Sequence, residues 1–292
     1  MGIITPKRYI FLYLYKIFKP KNIFKLIFTF FSWLIIIPLS FFIKKKNNLI
    51  LFSGRDDGQI LDNVKYLFTY FIENNIQDKG VEYYFLSHNK QVISFCHNNK
   101  IPVINSKKIS SFYIMFKASI LICDNSDWKR YKQNGFPLKY YVFFNTIKIQ
   151  LWHGIGYKKI ELSNPKNPKV RRIKLVSILF GFFPYYDYLV STSKYFSENL
   201  YKYSFFHKKI LELGYPRNDI FFKKEITTLD YFQTDQDLIR KVAKYKKNHR
   251  IIVYMPTFRD TDVHYDQAST YKFDLDGLQN FLNVNKIILI MK

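Results

Sequence analysis

Cysteine is nearly missing from this 292-residue chain, and the two present, Cys96 and Cys123, are too few for a disulfide framework or a structural zinc site. Two buried, reduced thiols are the expectation, which points to a reducing, cytoplasmic compartment. Acidic residues are scarce as well: 22 stand against 46 lysines and arginines, a formal net charge of +24. That imbalance favours an anionic partner, whether nucleic acid, an anionic membrane surface or a phosphate-bearing substrate. Nucleic acid is set aside, because the chain shows neither a recognisable binding module nor an Arg-rich reading surface. What the chain has in quantity is apolar: 48% of its residues are hydrophobic and 20% aromatic, too many for disorder. Its length suggests two domains of ordinary size.

Charge is missing altogether between Leu26 and Ile43, a run with Trp33 in its middle and Pro38 near its end. Lys7, Arg8, Lys16, Lys19, Lys21 and Lys25 precede the run, and Lys44, Lys45 and Lys46 follow it. The run is at the lower limit for a bilayer-spanning helix. Because both flanks are basic, the positive-inside rule gives no orientation, and an interfacial or hairpin-like helix with both ends cytoplasmic satisfies both. No small-residue cleavage site follows, which argues against a signal peptide. Residues 1–46 therefore read as a peripheral or monotopic membrane-attachment segment, with a buried N-terminal helix as the alternative.

From Asn48 the pattern becomes one of short apolar strands alternating with helical periodicity. Strands are expected over Leu49–Arg55, Val81–Ser87, Ile101–Asn105 and Ser119–Ser126, and helices over Asp62–Glu73, Gln91–Asn98 and Ser110–Lys117. Such alternation implies a doubly wound, parallel α/β domain over residues 47–150, with functional residues beyond the carboxyl ends of its strands. Ser53, Gly54, Arg55, Asp124, Asn125 and Ser126 fall there. The GRDDG segment reads as a polar loop and not a metal site.

The stretch Gln150–Lys159, QLWHGIGYKK, concentrates chemistry. The β-branched and aromatic run Tyr140–Ile149 before it places His153 where a buried strand opens into a loop. Gly154 and Gly156 can turn bare N–H groups toward an anion, and Lys158 and Lys159 add positive charge if a helix begins there. His153 can exchange a proton near neutral pH. The same residues also describe a strand-to-helix turn with a structural histidine, and locally the two readings weigh the same. Beyond it, Ser163–Arg172 reads as a loop, Lys174–Phe183 and Lys194–Phe206 as helices, and Tyr185–Ser193 as a strand. Ile210–Asp219 reads as a strand with a glycine turn, Leu229–Asn248 as one charged helix, and Arg250–Asp260 and Ile287–Lys292 as strands.

In series, LFSGRDDGQILDNVKYLFTYFIE, ILICDNS, QLWHGIGYKKI, YLVSTSKYFSENLYKYSFFHKKILELGYPRND and IVYMPTFRD resemble the CDP-glycerol glycerophosphotransferase family, which builds teichoic-acid-type and related capsule polymers. The resemblance covers Leu49–Lys292. It implies a GT-B architecture of two Rossmann-like domains, no dinucleotide cofactor, an acceptor-facing domain over 47–150 and a donor domain over 151–292. His153 becomes the candidate general base, acting on a hydroxyl of a lipid-linked acceptor. Gly214, Arg217, Asn218 and Asp219 of GYPRND, with Thr257, Arg259 and Asp260 of PTFRD, become candidates for holding CDP-glycerol or a related CDP-alditol. Arg217 and Arg259 suit a diphosphate clamp, or else pair with Asp219 and Asp260 to fix their loops; for Thr257 the alternative is helix capping. Family members continue past IILIMK into a histidine-proline motif and a serine-containing loop. The donor half is accordingly expected to be incomplete, as in a truncated form. Two other classes remain open: a non-catalytic module binding membrane or polyanion, and a GT-B glycosyltransferase using a nucleotide sugar.

Overall fold

The computed structural model describes residues 27–55, 58–129, 138–154, 158–167, 173–255 and 274–291. The chain divides into two compact units, Met1–Phe232 and Gln233–Lys292.

In the first unit, seven strands are described: β1 (Lys46–Ser53), β2 (Glu82–Ser87), β3 (Val103–Asn105), β4 (Ala118–Cys123), β5 (Ile147–Gln150), β6 (Tyr185–Ser191) and β7 (Phe206–Glu212). They form one sheet in the order β3-β2-β1-β4-β5-β6-β7, and every neighbouring pair runs parallel. Parallel pairing demands a crossover between strands, and the helical periodicity seen in the sequence supplies it. The helices are α1 (residues 27–42), α2 (Asp62–Glu73), α3 (Lys90–Asn98), α4 (Ile109–Lys117), α5 (Leu138–Val142), α6 (Lys174–Phe180), α7 (residues 194–204) and α8 (Thr228–Tyr231).

Both faces of the sheet are buried, which explains why its strands read as continuous apolar runs. Leu51 and Leu121 face one core with Tyr141, Phe143, Tyr186 and Leu189. Their neighbours Phe52 and Ile122 face the other, with Val64, Phe68, Phe85 and Val92. Register carries this alternation from strand to strand: Phe52 pairs with Phe85 on one side and with Ile122 on the other.

Strand order reverses between β1 and β4, so the carboxyl ends of those two strands open a crevice, the usual place for a ligand in such a sheet. Ser53, Gly54 and Arg55 lie at the end of β1, and Asp124 to Ser126 at the end of β4, as expected.

Four expectations need correction. The run Tyr140–Ile149 is not one strand: α5 takes its first part, and only Ile147–Gln150 enters the sheet. Packing overrides β propensity here, since Tyr140, Tyr141 and Val142 are all buried and Tyr140 and Phe143 pack on Trp128. The helix expected over Leu229–Asn248 breaks in two. Phe232 stacks on Phe95 at 3.7 Å, Gln233 takes a φ of +60°, and the Asp235 side chain accepts from the Leu238 N–H to start a second helix. The break coincides with the boundary between the compact units. No helix begins at Lys158; a single 3₁₀ turn, Glu161–Ser163, follows it. Finally, β6 and β7 extend the first sheet, so the expected boundary at 150/151 falls inside a continuous sheet, where Gln150 pairs with Leu189.

Helix α1 is docked on one side only. Trp33 donates its indole N–H to the Leu179 carbonyl at 2.8 Å and packs edge-on against Phe180. The opposite side presents Phe28, Phe31, Leu34, Ile35 and Phe42, each more than half exposed. Ser32–Ile36 is π-helical, just before Pro38, whose missing N–H cannot bond back to residue 34. Among the described residues no helix is long and apolar enough to cross a membrane.

The second unit holds α9 (Gln236–Lys246), β8 (Arg250–Tyr254), α10 (Leu275–Val284) and β9 (Ile287–Met291). The strands β8 and β9 pair in parallel, Ile252 opposite Leu289, so this unit is a second α/β element. Helix α10 was not anticipated from sequence.

Candidate active site

His153 sits three residues past the end of β5, beside the crevice. Its loop starts from a buried glutamine: Gln150 donates to the Asn125 carbonyl and accepts the Trp152 N–H, both at 2.9 Å. Trp152 takes a φ of +58°, costly for an aromatic residue. Its ring lies 4.0 Å from the His153 ring and 4.8 Å, edge-on, from Phe205, and these contacts hold it there.

The imidazole Nδ1 lies 2.9 Å from the Asp124 carbonyl. A carbonyl can only accept, so Nδ1 carries the proton and neutral His153 keeps a bare, basic Nε2. Burial is the main force on its titration and lowers its pKa below the ordinary value. The bond to Asp124 O opposes burial; Arg55 and Arg217 reinforce it, and Asp62 works against them. His153 is thus an unprotonated base at neutral pH.

The three carbonyls of Trp152, His153 and Gly154 are each met by a different donor. Asn63 Nδ2 reaches Trp152 O at 2.7 Å, Arg217 Nη1 reaches His153 O at 2.9 Å, and the Tyr201 hydroxyl reaches Gly154 O at 3.4 Å. Tyr201 is hydrogen-bonded in turn to Tyr215, whose ring lies 5.5 Å beneath the Arg217 guanidinium. Arg217 also forms an ion pair with Asp62 at 2.9 Å, and Asp62 stands 3.9 Å from Arg55. Arg217 therefore pairs across the fold with Asp62 and not with nearby Asp219.

The remaining candidates divide. Gly154 lies against the Arg217 guanidinium. Gly214 has a φ of +84° and, with Leu213, gives its N–H to the Ser191 carbonyl, turning the chain from β7 toward Arg217. Asn218, Asp219, Lys158 and Lys159 are exposed. Gly156, Thr257, Arg259 and Asp260 lie outside the described residues, as do Asp56 and Asp57 of GRDDG. Among the described residues no cluster of His, Cys, Asp or Glu could hold a metal ion.

Sequence reading missed the pair Asp62–Asn63, taken only as a helix start. The available signal was two polar residues directly before Val64, the first apolar residue of the helical stripe. It also missed the state of Asp124. That carboxyl is fully buried, and neither oxygen has a well-formed hydrogen bond. Burial first, then the nearby Asp62 charge, raises its pKa to about 8, against the weaker pull of Arg55 and of the Val64 and Asp124 N–H groups. Because its folded pKa is raised, the stability tied to this group is complete below the unfolded value near 4 and is lost as pH rises through about 8. Asp124→Asn keeps a neutral side chain at every pH. Urea unfolding should show wild type losing stability relative to the variant between about pH 4 and pH 8 and little further change above that; parallel curves would mean that Asp124 is ionised throughout.

A parallel sheet of this order, with a histidine, two arginines and a carboxylate gathered at its switch point, defines a doubly wound α/β protein with its site at the carboxyl ends of the strands. The wall teichoic acid polymerase TagF, solved after a CDPG soak, shares the fold: TM-score 0.56 at 20% identity, covering 94% of this chain and 66% of that one. The model of the CDP-Glycerol:Poly(glycerophosphate) glycerophosphotransferase family matches residues 35–292, and the chain belongs to that family. It is 28% identical over 261 residues to the teichoic acid glycerol-phosphate transferase of Staphylococcus aureus, covering 83% of this chain and 59% of that protein. It is 26% identical over 240 residues to the teichoic acid poly(glycerol phosphate) polymerase of Bacillus subtilis, covering 79% of this chain and 28% of that protein.

Proposed function

We propose that this chain transfers glycerol phosphate from CDP-glycerol, or from a related CDP-alditol, to a hydroxyl of a lipid-linked acceptor in cell-wall or capsule polymer synthesis. The observation that carries this reading is His153 held as a neutral base, Nδ1 on Asp124 O, at the mouth of the sheet in a chain of this family. The Nε2 atom takes the acceptor proton as the hydroxyl oxygen bonds to the β-phosphorus; the bond from that phosphorus to the α-phosphate oxygen breaks, and CMP leaves. Phosphoryl transfer relies on positioning and charge, which Arg217, Arg55 and the glycine-bearing loop supply. Arg217 would lie toward the donor diphosphate.

The test is CMP release by the 292-residue chain from CDP-glycerol supplied with a lipid-linked acceptor. CDP-ribitol and a UDP-sugar serve as competing donors. Release from the UDP-sugar alone would support the glycosyltransferase reading, and release from no donor would leave the binding-module reading.

Residues 1–46 are proposed to hold the protein on the cytoplasmic face of the membrane. Support comes from α1, whose exposed apolar side faces away from the contacts of Trp33, and from the exposed Lys44 that follows it. Flotation with anionic vesicles should recover the chain at low salt and less at high salt. Leu34→Glu with Ile35→Glu should cut the floated fraction severalfold; unchanged recovery would move the attachment elsewhere.

A further inference from the structure

We propose that Asp62 and Asn63, at the start of α2, are positioning residues that bind the Trp152–His153–Gly154 loop and the Arg217 turn into one unit. The proposal rests on the reading of His153 as the base. Asn63 is fully buried, and its amide spends both ends on this task. Its Nδ2 meets Trp152 O at 2.7 Å, 89 residues away in sequence, and its Oδ1 accepts the Arg217 N–H at 3.2 Å, 154 residues away. The amide orientation follows from the partners, since a carbonyl needs a donor and an N–H an acceptor. Asp62 completes the unit by taking Arg217 Nη1, the same nitrogen that meets His153 O.

Two consequences follow for His153. With the carbonyls before, at and after it all occupied, the peptides that carry the imidazole cannot rotate without breaking a buried bond. The second consequence is electrostatic. The charged and titratable groups that face the imidazole are Arg55 after β1, Asp62 of α2, Asp124 after β4 and Arg217 after β7, with the Tyr201 hydroxyl of α7 on the adjoining carbonyl. Asp62 is the counter-charge to both guanidiniums. Without it, the two guanidiniums would push the proton off His153 with less opposition.

Asp62→Asn separates the electrostatic role from shape, because its Oδ1 still accepts from Arg217 while the charge is gone. Asn63→Asp keeps the acceptor for Arg217 N–H and removes the donor to Trp152 O. Nitrogen–proton correlation spectra of the imidazoles would be recorded through a pH titration of the 292-residue chain, with His153→Gln identifying one of the six histidines. Wild type should show a single Nδ1-protonated form. Asp62→Asn should retain that form with its midpoint lowered by about 0.5–1 pH unit. Asn63→Asp should show a mixture of the two tautomers. An unmoved or raised midpoint in the first variant, or a single tautomer in the second, overturns the proposal. Should either variant fail to fold, the other carries its half of the test, and a change confined to thermal stability counts against both. None of these signals depends on CMP release, so failure of the transferase reading would show separately.

Discussion

Replacing His153 with alanine should lower CMP release by about 10²–10⁴-fold, the usual contribution of a positioned general base. On the proposed reading the loss should fall on kcat, with KM for the donor little changed, because the imidazole would act on the acceptor hydroxyl and not on the CDP group. Geometry supplies a second signature. The pKa of His153 is lowered chiefly by burial, so the wild-type rate should fall on the acid side only below the ordinary histidine range near 6.5. In the alanine variant the residual rate should lose that limb. Turnover that survives the substitution with its acid limb intact would remove His153 from the mechanism.

The largest expected effect on stability lies in the core beneath α2. Phe68 is fully buried among Phe52, Tyr83 and Phe85, with ring centroids 5.2, 5.9 and 5.2 Å away. Truncation to alanine removes a large apolar surface and leaves a cavity that the rigid sheet behind it cannot fill. The cost should be about 3–5 kcal/mol in denaturant unfolding. Helix α2 also carries Asp62 and Asn63 at its start, so the same substitution should loosen the loop around His153. A cost below about 1 kcal/mol would mean that the helix can settle onto the sheet without this ring.

How much of this was legible in the sequence depends on the range of the interaction. Strands β1, β2, β4 and β6 were marked by apolar runs, and α2 by its periodicity, because each is set by residues close together in the chain. The placement of His153 after a strand was legible for the same reason. Where contacts over more than a hundred residues decide, the sequence was silent. The break between α8 and α9 depends on Phe232 stacking on Phe95, and the partner of Arg217 is Asp62, far upstream, in place of Asp219, two residues on. The local mark at Asp62 and Asn63, two polar residues before Val64, does not name their partners either. An asparagine in the first turn of a helix is a common residue in a common place, and only the folded chain shows both ends of its amide in use.

The docking of α1 also sets an order of events during synthesis. Trp33 receives its hydrogen-bond partner from Leu179, 146 residues later in the chain. At a ribosomal rate of about 5–20 residues per second, those residues take about 7–30 s to appear. Until residues 138–145 and then Leu179 have been made, the aromatic and aliphatic side of α1 that will rest on the sheet domain is as uncovered as the side that stays exposed. Whatever apolar surface is nearest the ribosome meets this helix before its own protein does.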